Sequence, residues 1–384
     1  MVDKVRIAIV SDLHCRYGDG KNVEELDTYL TSDLLYLPIV RNPVEALKKV
    51  IDEQKIKVDA LICPGDIADR VNLQGLVSGW RYLTDLKIAM GAPILAATIG
   101  NHDIDSRKLN GGDPVDQLKR LARDFPTASL EANSNFWANH FCIISTDRLD
   151  ILLINSCHFH LDAEQAKESK IGETTLEQIK TEIATLKRNG KIKLAICHHH
   201  PLKHSNMDYK DLDSIDDGDK LLKELQANDF ALVIHGHKHD PRLGYSNSLP
   251  VFAAGSFSSI TNLMNTGAEN TFHLIEIEPS SKKGLIKSWI YGPQVGWVQK
   301  DGTYFPCSTG FGVRKDMKDF AEECAKWLNA QVEAFVTYDK LVNQFPDLLY
   351  LVPDDQREFN ERITAYSINL VPALPDTPKF AIKQ

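Results

Sequence analysis

VRIAIVSDLH, residues 5–14, decides how the rest of the chain is read. A short run, apolar on both faces, ends abruptly in Ser11-Asp12-Leu13-His14. Such a run suits a central strand of a sheet covered on both sides. The polar residues then fall just past its carboxyl end. Four more runs repeat the arrangement: DALIC (59–63), PILAATI (93–99), KLAIC (193–197) and FALVI (230–234). Helix-like stretches stand between them at 42–54, 174–188 and 217–228; the first opens with Pro43 and the second with threonine, both suited to a helix start. FCIISTD (141–147) and DILLINS (150–156) read as a hairpin, and 251–256, 271–278 and 284–292 as further strands. This alternation predicts a layered α/β domain.

Each of the five central runs is followed by Asp, Asn or His. Asp12 and His14 follow the first, Asp66 and Asp69 the second, Asn101, His102 and Asp103 the third. His198, His199 and His200 follow the fourth, and His235, His237 and His239 the fifth. In open α/β sheets ligands bind in the crevice beyond the carboxyl ends of the strands, so groups scattered over half the chain should meet there. Asp12, His14, Asp66, Asn101, His199, His237 and His239 offer hard oxygens and imidazoles and no thiolate. That mix suits manganese or iron, and zinc as well, in a hydrolytic site rather than a structural Cys-zinc. Seven donors are too many for one ion with open positions and suit two ions sharing a carboxylate. Such a pair can polarise a phosphoryl oxygen, hold a bridging hydroxide and stabilise a leaving oxygen. The D-x-H and H-x-H spacings put both side chains on one side of an extended segment. His102, beside Asn101 and backed by a carboxylate, is placed for general acid work.

Taken together, Asp12-Leu13-His14, Gly65-Asp66-Ile67-Ala68-Asp69, Gly100-Asn101-His102-Asp103, His199-His200-Pro201 and Gly236-His237-Lys238-His239 resemble the signature of the calcineurin-like metallophosphoesterases, over about residues 5–240. They resemble its cyclic-nucleotide-phosphodiesterase-like branch more than the protein phosphatases. The resemblance implies a four-layer αββα sandwich of two mixed sheets with a dimetal site at one edge. It implies Asp12, His14 and His239 on the first metal, Asn101, His199 and His237 on the second, and Asp66 bridging. It also implies that His102 contacts the phosphate and protonates the leaving group, with Asp103 orienting its ring. The activity implied is hydrolysis of a phosphodiester or small phosphomonoester, of a small molecule or nucleotide. A nuclease of the same superfamily is the alternative. A scaffold that had lost its ligands is a third reading, against which all seven ligand positions are filled.

Other residues are read against plainer roles. Asp69 supports the Gly-Asp turn. Arg70 could meet a phosphate oxygen or form a surface salt bridge, and Val71 stands where the protein phosphatases carry glycine. His158 and His160 form a spaced pair suited to the rim or the substrate; His204 is similar, and His140 and His273 read as structural. In AICHHHPL, strand alternation puts His199 on one face. His198 then packs at the strand end and His200 lines the substrate side.

Composition narrows the partners. A net charge of −9, without a dense Lys/Arg cluster beside the motifs, argues against nucleic acid or an anionic membrane. No apolar run approaches the roughly 20 residues of a membrane helix. The seven scattered cysteines lack any C-x-x-C pair and read as reduced thiols of a cytoplasmic protein. Polar insertions at 16–41 and 104–137 interrupt a catalytic domain of residues 1–300 and suit loops around a site rim. Residues 301–384 read as a mainly helical extension. It holds an amphipathic helix over 315–345, a second helix at about 354–367 and an irregular proline-rich tail. It could pack on the core, make a homo-oligomer contact or dock a partner protein.

Overall fold

The computed structural model describes residues 4–18, 27–32, 41–108, 113, 115–162, 164–165, 169–186, 190–202, 213–260 and 267–383. Parts of both insertions, and His204, lie outside them. The first three runs become parallel strands β1 (Val5–Ile9), β2 (Ala60–Cys63) and β3 (Ile94–Ala97). The chain then builds a second sheet from β4 (Phe141–Ser145), β5 (Leu149–Ile154), β6 (Ile192–Ile196), β7 (Leu232–His235), β8 (Arg242–Ser246) and β9 (Leu249–Ala253), in the order β4-β5-β6-β7-β9-β8. It returns to the first sheet with β10 (Thr271–Ile277), β11 (Gly284–Gly292), β12 (Gly296–Val298) and β13 (Ser308–Phe311). The first sheet runs β12-β11-β10-β1-β2-β3, with β13 also on β11. Both sheets are mixed: β10 pairs antiparallel with β1, and β4 with β5.

Side-chain alternation explains the layers. Ile151, Leu153, Leu194, Ile196, Leu232 and Ile234 point into a core shared with Ile7, Ile9 and Leu61 of the first sheet. Leu152, Ile154, Ala195 and Val233 point the other way, into a second core. Helices close the outer faces. On the first sheet lie α1 (Pro43–Glu53) and α2 (Leu73–Met90), which bury Leu47, Ile51, Leu83 and Leu86. Asn42 caps α1 by accepting from the Val44 and Glu45 amides, with Pro43 in the first turn. Between β3 and β4 lie α3 (Asp116–Leu121) and α4 (Leu130–Asn139). On the second sheet α5 (Glu173–Ala184) and α6 (Gly218–Ala227) bury Ile179, Ile183, Leu221 and Leu225. The fold is two mixed sheets flanked by helices.

The C-terminal part has its own core and departs from the sequence reading. The helical spacing over 315–345 is divided among α7 (Met317–Asn329), β14 (Phe335–Thr337) and α8 (Tyr338–Gln344). Val332 is fully exposed in the break, and the Thr337 hydroxyl caps α8 by accepting from the Lys340 amide at 3.4 Å. After α9 (Pro353–Thr364), the proline-rich tail carries β15 (Ile368–Val371) and β16 (Phe380–Lys383), so it is not irregular throughout. These strands form a small sheet, β14-β16-β15. Leu370 and Ala381 of it join Phe320, Leu328, Leu341 and Phe359 of the helices in a separate cluster. The Lys283 ammonium lies 2.6 Å from Asp347, and Tyr350 donates to Glu278 at 3.0 Å, tying this unit to the first sheet. No helix among the described residues is long and apolar enough to cross a membrane.

Candidate metal centre

The loops past β1, β2, β3, β6 and β7 converge at one edge of the two sheets. Hydrogen bonds pin them together. The Asp12 amide donates to the Gly65 carbonyl at 3.1 Å and the His14 amide to the Asp66 carbonyl at 3.0 Å. The His102 amide donates to Asp66 Oδ1 at 2.8 Å and the His237 amide to Asp12 Oδ1 at 2.9 Å. Asp12, His14, Asp66, His237 and His239 all have φ between 45° and 77°. That left-handed conformation is uncommon outside glycine but tolerated best by Asp, Asn and His. Such strain persists where the surroundings over-determine it, and it clusters at functional sites. A Cβ at Gly100 would collide with the backbone and carboxylate of Asp66, so only glycine lets these two loops meet.

Two donor sets result. In the first, donor atoms of Asp12, His14, Asp66 and His239 all lie within 4.8 Å of one another. His14 Nε2 is 2.8 Å from His239 Nε2 and 3.5 Å from Asp66 Oδ2, and His239 Nε2 is 3.5 Å from Asp12 Oδ1. His14 Nδ1 lies 3.3 Å from the Asp69 carboxylate. With its proton held there, the ring keeps a lone pair on Nε2, aimed at the other donors. In the second, His198, His199 and His237 gather within the same limit. Asn101 Oδ1 stands 3.0 Å from both His198 Nε2 and His237 Nδ1. Asp66 Oδ2, 3.4 Å from His198 Nε2, faces both sets.

The electrostatics fit divalent cations. Burial would raise the Asp66 carboxyl, but His198, His102 and His14 hold it well below the usual range. Asp12 behaves alike, its burial outweighed by His239. Burial pushes His14, His199 and His237 down toward the neutral, ligating form. His198 is the exception: burial works against its charge, but Asp66 outweighs it and raises the ring to about 9. Buried carboxylates facing the lone pairs of His14, His199 and His237, with no thiolate among them, match the hard, borderline donor chemistry of two-metal hydrolytic sites.

The structure separates the histidine triplet differently from strand alternation. β6 ends at Ile196, so alternation does not extend to 198–200. His198 is completely buried. Its Nδ1 donates to the Pro64 carbonyl at 2.9 Å and its Nε2 reaches Asn101 and Asp66. Sequence reasoning gave it only a packing role; the chain's departure from the strand carries no residue signal. His199 also lies in the set, with Nδ1 2.9 Å from the Ser156 hydroxyl. The substrate-side expectation for His200 is corrected: the residue is 0% exposed, its ring stacked 6.2 Å from that of His237.

His102 borders a cleft of about 230 Å³ with Asn101, Arg70, Ile104 and Arg107. The expectation that Asp103 orients it is corrected. Asp103 is buried, accepts the Ala68 and Gly100 amides at 2.8 and 2.9 Å, and so braces the loops. Burial and then Asp66 push its carboxyl up to about 7. The partner of His102 is Asp69, whose Oδ1 is 3.1 Å from Nδ1. One Asp69 oxygen thus faces both His14 and His102, while the other takes Arg16 at 3.1 Å. Burial works against charge on the His102 ring, but Asp66 and Asp69 outweigh it and raise its pKa. Arg70 is exposed at the cleft wall, 3.5 Å from Asp27. Lys238 turns out to Asp213 at 3.0 Å. His158 and His160 border a separate cleft of about 220 Å³. His158 stacks on His140 at 4.3 Å. His273 sits between Ser288 and the Ala254 carbonyl, and burial brings it down to about 4.

Comparison with known proteins agrees with this geometry. The family model for calcineurin-like phosphoesterases matches residues 5–241, more than half of the chain. A second model, described as wHTH-Calcineurin_assc, matches residues 309–363. No curated protein matches the sequence. Among solved structures, purple acid phosphatase PPD1 from yellow lupin (Lupinus luteus) seeds is 16% identical, with a TM-score of 0.50 over 81% of this chain and 54% of that one. This chain therefore spans about half the length of the plant enzyme. GAP50, the anchor in the inner membrane complex of Plasmodium, is 12% identical, with a TM-score of 0.42 over 82% of this chain and 90% of that one. From the five converging loops and the match that spans them, the chain belongs to the calcineurin-like phosphoesterase family.

Proposed function

We propose that the chain hydrolyses phosphoester bonds with two divalent metal ions, manganese or iron, and acts on a phosphodiester or small phosphomonoester. The observation that carries this reading is Asp66. Its carboxylate faces two sets of oxygen and imidazole donors, and His102 stands beside it at the cleft. Asp12, His14 and His239 would hold one ion. Asn101 and His237, with His199 and His198 as candidates for the remaining place, would hold the other. Such ions supply Lewis acidity toward the phosphoryl oxygens. The chain's own residues do the rest. Asp69 binds His102 at Nδ1 and, after Asp66, raises its pKa, leaving Nε2 to protonate the leaving oxygen. Arg70 at the cleft wall would take a phosphate oxygen.

The test is a panel run with Mn2+: bis-p-nitrophenyl phosphate, p-nitrophenyl phosphate, cyclic nucleotides, and single- and double-stranded DNA. Turnover of the small esters is expected. Cleavage of DNA alone would move the protein to the nucleases, and no metal-stimulated turnover on any of them would remove the reading. The small cleft and the net charge of −9 both favour small esters.

A further inference from the structure

The stretch Asn155-Ser156-Cys157-His158-Phe159-His160 leaves β5 directly behind the second donor set and is unused by the chemistry above. Its paired histidines do not act as a pair. His158 turns its Nδ1 to the Asn155 carbonyl at 2.8 Å and stacks on His140. His160 turns inward instead, its ring 5.1 Å from that of His199. Cys157 turns inward too, its sulfur 3.8 Å from His199 Nδ1. Cys157, His160 and His199 are each at most 2% exposed, and their donor atoms all lie within 4.8 Å of one another.

We propose that Cys157, His160 and His199 form a third metal site, selective for a thiophilic divalent ion such as Zn2+ or Co2+. Tetrahedral coordination with metal–sulfur and metal–nitrogen bonds of about 2.3 and 2.05 Å sets sulfur and nitrogen roughly 3.6 Å apart. The Cys157–His199 separation is already close to that. Thiolate selects zinc-like ions over manganese, whereas the oxygen-rich sets beside Asp66 do not. One chain thus offers two chemistries of metal. An entry path exists, because Cys157 and His160 border the 220 Å³ cleft that also touches Trp137 and Ile104. The thiol now donates to the Ile99 carbonyl at 3.4 Å. On binding, the S–H bond breaks, a sulfur–metal bond forms and the proton leaves to solvent, with no change of oxidation state. The ion also replaces the Ser156 hydroxyl at His199 Nδ1. The rings of His198 and His237 lie 5.0 and 4.6 Å from that of His199. A neutral imidazole offers one lone pair, so an ion held at Nδ1 takes His199 out of the second donor set and leaves that place to His198.

Cobalt(II) alone is the probe, added to the full chain. A sulfur-to-cobalt charge-transfer band in the near ultraviolet is expected in the wild type and absent from Cys157→Ser. His160→Gln, a second variant in case the first does not fold, should bind Zn2+ at this site at least a hundredfold more weakly. Native mass spectrometry should count one zinc fewer in both variants. Asp66→Asn should keep the band, which separates this site from the hydrolytic one whatever the fate of the activity. A wild type that binds cobalt without the band, or a Cys157→Ser variant with the same band and zinc count, would overturn the proposal.

Discussion

The two donor sets beside Asp66 are built differently. In the first, His14 is backed by a carboxylate, Asp69, and faces two more, Asp12 and Asp66. In the second, His198 is backed by a backbone carbonyl, Pro64, and His199 by a hydroxyl, Ser156; only His237 has a carboxylate behind it, the part-exposed Asp213 at 3.6 Å, and the oxygen donor is the neutral amide of Asn101. Carboxylate backing makes an imidazole a stronger donor and fixes its tautomer. The first set therefore concentrates buried negative charge and ligand basicity, whereas the second has the shared Asp66 and one part-exposed, solvent-screened carboxylate behind His237. The difference teaches that Asp66 is the common dependence of both, whereas Asp69 belongs to the first set and to the acid.

Removing the common dependence gives the largest effect. Asp66→Asn should strip both ions and lower turnover on the order of 10³-fold, since metal polarisation is worth several kcal/mol. Metal analysis and kcat read it; a fully active mutant with normal metal content would break the symmetry of the argument. Next comes His102→Ala, expected to keep both ions and lose about 10²–10⁴-fold in turnover, most for esters with poor leaving groups. Loss of metal instead would move His102 among the ligands. Asp69→Asn should cost about 10–100-fold. It acts on both sides of the carboxylate, weakening the first ion and lowering the pKa of His102. His102 must be protonated to act, so the alkaline limb of the rate profile, where it loses its proton, should move to lower pH. Asp103→Asn should leave that limb in place and lower the melting temperature, because its carboxylate holds two loop amides and touches no ring.

Much of this was legible in the sequence. Runs apolar on both faces mark the buried parallel strands, and the Asp, Asn and His beyond their ends gather as strand topology requires. What the sequence could not show depends on how the chain leaves a strand. Whether 198–200 continues the pleat decides which histidine faces Asp66, and no residue there reports that β6 stops at Ile196. The exchange of roles between Asp69 and Asp103 is of the same kind. Both follow a ligand at short spacing, and only the turn at 66–70 brings Asp69 under His102. At the C-terminus, helical spacing ran on through residues 330–345 because an amphipathic period does not register an exposed break or a three-residue strand.

The smallest effect is also the one that most sharpens the contrast between the sets. Two ions held in unequal electrostatic surroundings should leave unequally. The first has Asp12 and Asp66 in direct reach and Asp69 behind His14. The second has Asp66 and neutral donors, with the part-exposed Asp213 behind His237. Titration with a chelator should thus remove metal in two steps separated by about tenfold or more in affinity, a difference of roughly 1.4 kcal/mol. His198→Ala and His199→Ala then divide the weaker step between them. If His198 holds the ion, its removal should abolish that step, and His199→Ala should only shift it, because the Asn101 and His198 contacts survive. The opposite result would give the place to His199 and leave His198 as the buried partner of Asp66. A single step, with both variants intact, would mean that the two sets bind alike and that the backing groups do not set the order.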